Sequence, residues 1–202
     1  MLDSEKLSIF KEISNIGSGN ASNSLAAMLN EMVDIGIPKS DLVNFSSITD
    51  EYESQEEIVV GNVLELSGDI KGFIMVIMKV EAAFNLISKI TKQVIRYNPN
   101  DYDDIRQQLS SMGEICNILC GTYLTAMSEM TGMSINQSVP YFSIDMVMAI
   151  MNLPITLYGE VTDSALCIET DFFTMDQEVK GKYYFMPELE SCKKVLEMLG
   201  MA

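Results

Sequence analysis

Long proline-free stretches rich in helix formers open two halves of this chain, over residues 4–32 and 102–133. At 100° per residue, Phe10, Ile13, Ala21 and Met28 fall on one side of the first stretch, and Met112, Ile115, Tyr123 and Met130 on one side of the second. The spacing predicts two long helices, each with an apolar core face. After each, over 33–38 and 134–140, the pattern turns strand-like until a proline breaks it. Short helices are expected at 38–42 and 143–151. Two strand pairs follow, 57–66 with 72–80 and 165–175 with 181–186, and Gly68-Asp69 supplies turn chemistry for the first. Helical patterns at 81–90 and 189–199 close the halves. Antiparallel hairpins with helices that do not alternate with single strands imply an α+β fold, one shared and largely antiparallel sheet flanked by helices.

The halves are copies of one another. Shifted by 102, Ser8 falls on Ser110, Glu12 on Glu114, Asn15 on Asn117, Gly19 on Gly121 and Pro38 on Pro140, with no slip between them. Downstream, Asp69-Ile70-Lys71-Gly72 resembles Glu178-Val179-Lys180-Gly181 at an offset of 109, so the second half holds about seven extra residues, expected between Pro154 and Ser164. A repeat this long fits duplication into a pseudo-two-fold symmetric fold rather than a solenoid. The expectation is a single domain of two repeats, about 1–100 and 101–202.

Composition narrows the function. Hydrophobic residues make up 48% of 202, enough for a proper core. No apolar run reaches the roughly 18 residues of a membrane span, and the first residues lack the pattern of a signal peptide, so a soluble cytoplasmic protein is expected. A net charge of −16 disfavours nucleic acid and anionic membranes as partners. With no histidine, Ser-His-Asp and Cys-His triads and His-containing zinc sites are impossible. Cys116 and Cys120 are spaced for one helix face, yet nothing nearby completes a metal set, and they read as small core residues. Gly17-Ser18-Gly19-Asn20 lacks the ending of a phosphate-binding loop.

Opposite the core face, Ser8, Glu12, Asn15 and Gly19 fall within about 60° of one another, as do Ser110, Glu114, Asn117 and Gly121. Glycine costs a helix interior about 1 kcal/mol relative to alanine, and asparagine is also a weak helix former. A solvated helix face is the plain alternative. Against it, both halves keep the same four residues while neighbours differ, Lys11 aligning with Gly113 and Asn20 with Thr122. One carboxylate and one amide make a poor stand-alone hydrolase. They suit assistance to an activated acyl phosphate on a partner's aspartate, where a water must be held in line with phosphorus.

At these residues the chain resembles the CheC/CheX/FliY family of chemotaxis phosphatases, whose motif is Asp/Ser-x3-Glu-x2-Asn-x22-Pro. The motif occurs twice without a gap, as Ser8, Glu12, Asn15, Pro38 and as Ser110, Glu114, Asn117, Pro140. Among family members the CheC type resembles it most, because CheX-like proteins are shorter with one motif and FliY-like proteins add a C-terminal switch domain. The resemblance implies that Asn15 and Asn117 orient the attacking water on the phosphorylated response regulator CheY, and that Glu12 and Glu114 contact its lysine. Ser8, Gly19, Pro38, Ser110, Gly121 and Pro140 are motif support. It also implies a partner in the deamidase CheD, for which Asp145, on the helix expected at 143–151, is a candidate contact; an ordinary packed helix is the equal alternative. No cofactor of its own is expected, Mg²⁺ belonging to CheY, and the protein is expected to be monomeric. A non-catalytic adaptor for phosphorylated CheY or CheD is the second reading.

Overall fold

The computed structural model describes residues 3–44, 52–158 and 164–201. The elements run α1 (Ser4–Leu29), β1 (Val33–Ile35), β2 (Lys39–Asn44), β3 (Ile58–Gly68), β4 (Gly72–Lys79), α2 (Val80–Thr91), α3 (Tyr102–Thr131), β5 (Ile135–Gln137), β6 (Tyr141–Met146), α4 (Val147–Tyr158), β7 (Ser164–Thr174), β8 (Lys180–Pro187) and α5 (Leu189–Met198). Asp3 caps α1 by accepting the Lys6 backbone N–H at 3.0 Å, which satisfies one of the orphan donors of the first turn. Asn30, at φ 55°, ends the helix in the left-handed conformation.

The eight strands form one sheet in the order β1-β7-β8-β4-β3-β5, with β2 also on β7 and β6 also on β3. Every ladder is antiparallel. The α+β architecture expected above is therefore present. Short strands of each half pair with the long strand of the other. β1 and β2 lie end to end along β7, and β5 and β6 lie end to end along β3. The break between the pieces contains Pro38 on one edge and Pro140 on the other, and proline has no N–H to give a ladder. At the breaks, Gly36 donates to the Asp171 carbonyl at 2.8 Å and Ser138 to that of Glu65 at 2.9 Å.

Strand alternation divides the core between the two faces of the sheet. Val60, Leu64, Ile74, Val76, Ile168, Phe172, Tyr183 and Phe185 face a layer made by α1, α3, α2 and α5. Val59, Val63, Phe73, Met75, Ile77, Tyr184 and Met186 face α4, through Val147, Ile150 and Met151. With both faces covered, β4 is an unbroken apolar run, Phe73 to Met78 all buried. α4 seats directly on Gly61, where a Cβ would stand 2.5 Å from Ile150 Cδ1. No helix among the described residues is long and apolar enough to cross a membrane.

Three local expectations are corrected. The helix expected at 38–42 is absent, and Lys39 onwards forms the edge strand β2; Pro38-Lys39-Ser40-Asp41 looks locally like a helix start, but backbone pairing with β7 captures it. The helix expected at 143–151 starts only at Val147, and Asp145 lies on β6, paired with Val59. The extra residues of the second half are also spread more widely. β3 and β7 begin 106 residues apart, β4 and β8 108 apart, and α2 and α5 109 apart. Some are thus added before β7, where α4 stands, and others in the β7–β8 turn and before α5.

Candidate active site

α1 and α3 lie side by side on the same face of the sheet, so both polar lines belong to one helical layer. Phe10, Ile13 and Ala21 are buried beneath α1, and Met112, Ile115 and Tyr123 beneath α3. Met28 is half-buried and Met130 is exposed, so the apolar stripes weaken at the helix ends. Ser8, Glu12 and Asn15 are exposed, with Gly19 half-buried; Ser110, Glu114 and Asn117 are exposed, with Gly121 half-buried. Both lines are therefore available to another molecule along one helix face. The glycines are not forced by packing within the chain. A Cβ at Gly19 would meet Ile35 Cδ1 at 3.9 Å, and one at Gly121 would meet Gln137 Nε2 at 3.8 Å, both ordinary contacts.

The second line borders a groove of about 600 Å³. Ser110, Glu114 and Asn117 form its helical wall, and Gln137, Val139 and Pro140 its opposite wall, at the break between β5 and β6. The proline of the motif, 23 positions beyond Asn117, is thus brought back beside it by the fold. In the first half Pro38 occupies the equivalent break and is buried, while Pro140 is half-buried. Apolar side chains stand exposed next to both prolines, Ile37 at 90% and Val139 at 88%. Ile16 and Ile118, each one residue beyond the motif asparagine, are exposed as well.

Sequence reasoning missed one contact in this groove. Gln137 Nε2 donates a 2.8 Å hydrogen bond to Asn117 Oδ1. The available signal was a polar residue at a position where the other repeat has Ile35. Asp145 stands apart from both lines; its Oδ1 accepts the Met146 backbone N–H at 2.8 Å, and it is exposed at the end of β6.

Other chemistry-bearing groups are already committed. Cys116 and Cys120 are buried in the core. Burial pushes the Cys116 thiol up to about 12 and that of Cys120 well above its ordinary value, which suits packing rather than metal binding. A separate cavity of about 420 Å³ lies against β4, β7 and β8, lined by Tyr52, Glu57, Lys79, Asp171 and Lys182. Two of its lysines are paired, Lys79 with Glu53 and Glu57, and Lys182 with Glu169 and Asp171.

The model of the CheC-like family matches residues 5–40 and 108–144, which contain both motifs. The CheY-P phosphatase CheC of Bacillus subtilis (strain 168) is 28% identical over 198 residues, covering 97% of this chain and 94% of that protein. Among solved structures, Thermotoga maritima FliY superposes with a TM-score of 0.75 at 21% identity, each chain fully covered. The chain of the Borrelia burgdorferi CheX-CheY-BeF3-Mg²⁺ complex that matches gives a TM-score of 0.59 at 19% identity, over 87% of this chain and 98% of that one. These likenesses support the same α+β fold. With the motif region of both repeats matched by its model and a relative aligned almost from end to end, the chain is similar to the CheC-like family throughout.

Proposed function

We propose that this protein is a phosphatase for the aspartyl phosphate of the response regulator CheY, with two sites, Glu12 with Asn15 and Glu114 with Asn117. The observation that carries this reading is the repeated, exposed Ser-x3-Glu-x2-Asn line on two core-packed helices, beside the proline break of an edge strand. The matched relative named a CheY-P phosphatase supports it. So does the family neighbour crystallised with CheY, BeF3 and Mg²⁺.

Each residue has a defined task in this reading. The asparagine amide holds the attacking water in line with phosphorus, so that its lone pair faces the acyl phosphate. Glutamate pairs with the receiver's lysine and fixes the docked orientation. CheY supplies Mg²⁺ and most of the charge stabilisation, and this chain needs no cofactor. Ile16 with Ile37, and Ile118 with Val139, give each site an exposed apolar margin against which the receiver packs. The protein works as a cytoplasmic monomer whose domain is built of the two repeats. CheD is a second partner, with the β6–α4 corner at Asp145 as its contact.

The test is phosphate loss from phosphorylated CheY with Mg²⁺. Wild type accelerates it, Asn15→Ala and Asn117→Ala each reduce the acceleration, and the double variant nearly abolishes it. A double variant as fast as wild type would refute the site assignment. Wild type that binds phosphorylated CheY without hastening phosphate loss would establish the adaptor reading instead.

A further inference from the structure

The two sites match in their motif residues but not in what stands beside the asparagine. Asn117 Oδ1 accepts a 2.8 Å hydrogen bond from Gln137 Nε2. Gln137 is anchored independently of α3, because it lies on β5 and pairs with Leu66 of β3. Its Oε1 is buried and has no hydrogen-bond partner among the described residues, so the bond to Asn117 is the side-chain contact that holds its amide. In the first half the same position, 102 residues earlier, is Ile35, on β1 and paired with Phe172. Ile35 approaches Gly19 just as Gln137 approaches Gly121, but the hydrocarbon side chain of isoleucine has no N–H to offer Asn15.

This difference bears on catalysis through one torsion. The terminal torsion of asparagine is broad and roughly two-fold, so a free amide exchanges its oxygen and nitrogen between similar positions. Only one of those orientations presents the intended acceptor to a water. A side chain rooted in the sheet and bonded to Asn117 Oδ1 restrains that torsion before the partner arrives, and the bond leaves Asn117 Nδ2 uninvolved. The ordering of that side chain is then completed on folding and not during docking.

We infer that Gln137 is a positioning residue for Asn117, and that its replacement by Ile35 in the other repeat makes the two sites unequal in turnover. This rests on the phosphatase reading above. It assigns Gln137 no contact with the reacting atoms: the glutamine acts through Asn117.

Each site is measured alone, with phosphorylated CheY and Mg²⁺ as substrate. In an Asn15→Ala background, Gln137→Ile lowers kcat roughly 3- to 10-fold, as expected for one side chain released from a fixed orientation, with KM unchanged. Isoleucine is already accommodated at the equivalent edge-strand position, so the variant folds. In an Asn117→Ala background, Ile35→Gln raises kcat, a gain that loss of structure cannot imitate. Without any partner, Gln137→Ile shifts the Asn117 side-chain amide resonances in nitrogen-15 NMR. Unmoved resonances, or a kcat that stays constant or rises in Gln137→Ile, would overturn the inference. A wild type that leaves phosphorylated CheY untouched sinks the phosphatase reading and this inference with it, whereas an active wild type indifferent to Gln137→Ile sinks this one alone.

Discussion

The Tyr123 hydroxyl of α3 donates a 2.7 Å hydrogen bond to Ser14 Oγ of α1, joining the two helices that carry the polar lines. Both residues are buried, and Ser14 Oγ also lies 3.4 Å from Thr170 Oγ1 on β7. Burial pushes the Tyr123 phenol above its ordinary range, so it remains a proton donor throughout neutral pH. Gly17 lies against the same ring, and a Cβ there would stand 3.0 to 3.1 Å from three ring carbons. The separation of the two sites is therefore set by a tyrosine fitted onto a glycine.

That contact predicts a stability effect without a catalytic one. Tyr123→Phe loses one buried hydrogen bond, worth about 1 kcal/mol, and lowers Tm by roughly 2–4 °C for a chain of this size. Gly17→Ala also destabilises, because crowding the Tyr123 ring costs about 1–3 kcal/mol and outweighs the ~1 kcal/mol gained in helix propensity. Thermal unfolding followed by circular dichroism measures both, and turnover of Tyr123→Phe below the transition should match wild type.

Glu12 and Glu114 should separate from the asparagines kinetically. If the carboxylates dock the receiver's lysine, Glu12→Gln with Glu114→Gln raises KM about 5- to 20-fold and changes kcat little, in line with loss of a charge-assisted contact. The salt dependence of kcat/KM should weaken in the same variant. Rates over a range of phosphorylated CheY concentrations and ionic strengths decide this; a fall in kcat with constant KM would make the carboxylates part of the chemical step.

An ion cluster ties the end of α1 to the β7–β8 turn and gives stability an acid limb. Lys89 on α2 bonds Glu31 at 2.9 Å and Asp176 at 2.6 Å. The Lys89 hydrogen bond, helped by Thr174 and the Glu178 backbone, holds the Asp176 carboxyl well below its usual range. Burial opposes the charge on Lys89, yet its bonds to Asp176 and Glu31 raise its pKa overall. Because the folded Asp176 is the stronger acid, its contribution is complete above the ordinary value of about 4 and is lost as pH falls below it. Because the folded Lys89 is the weaker acid, its contribution is complete below about 10.4 and is lost as pH rises through the folded value. Urea unfolding at pH 7 and pH 2.5 should show a smaller acid loss in Lys89→Met than in wild type.

Three of the four thiols should be silent in the native protein. Burial raises Cys116 and Cys192 to about 12 and Cys120 well above normal, so almost none of any of them is thiolate at pH 8. Iodoacetamide followed by mass spectrometry should leave these three unlabelled until denaturant is added. Fast labelling of Cys116 in the native state would mean that the layer under α3 opens readily.

Much of the site was legible because it is local. Ser8, Glu12 and Asn15 share a helix face whatever the rest of the chain does, since spacing of three and four residues follows from helix geometry alone. The repeat at 102 marked the same residues twice, and the pattern at 72–80 marked the strand that became β4. The hairpin after Gly68 was equally local, that glycine adopting φ +100°.

Contacts across the sheet were not legible in this way. Residues 38–42 look locally capable of a helix, and 39–44 become a strand because the edge of β7, 120 or more residues away, offers hydrogen bonds to fill. Asp145 was misplaced for the same reason, its backbone pairing with Val59. Helix periodicity, the duplicated motif and the exposed line were determined by the sequence by itself. That Gln137 bonds Asn117 at one site, while Ile35 lies against Gly19 at the other, was decided only by tertiary structure. The physical reason is that a strand's register against a neighbouring helix depends on pairings distant in the chain, here β5 on β3 and β1 on β7.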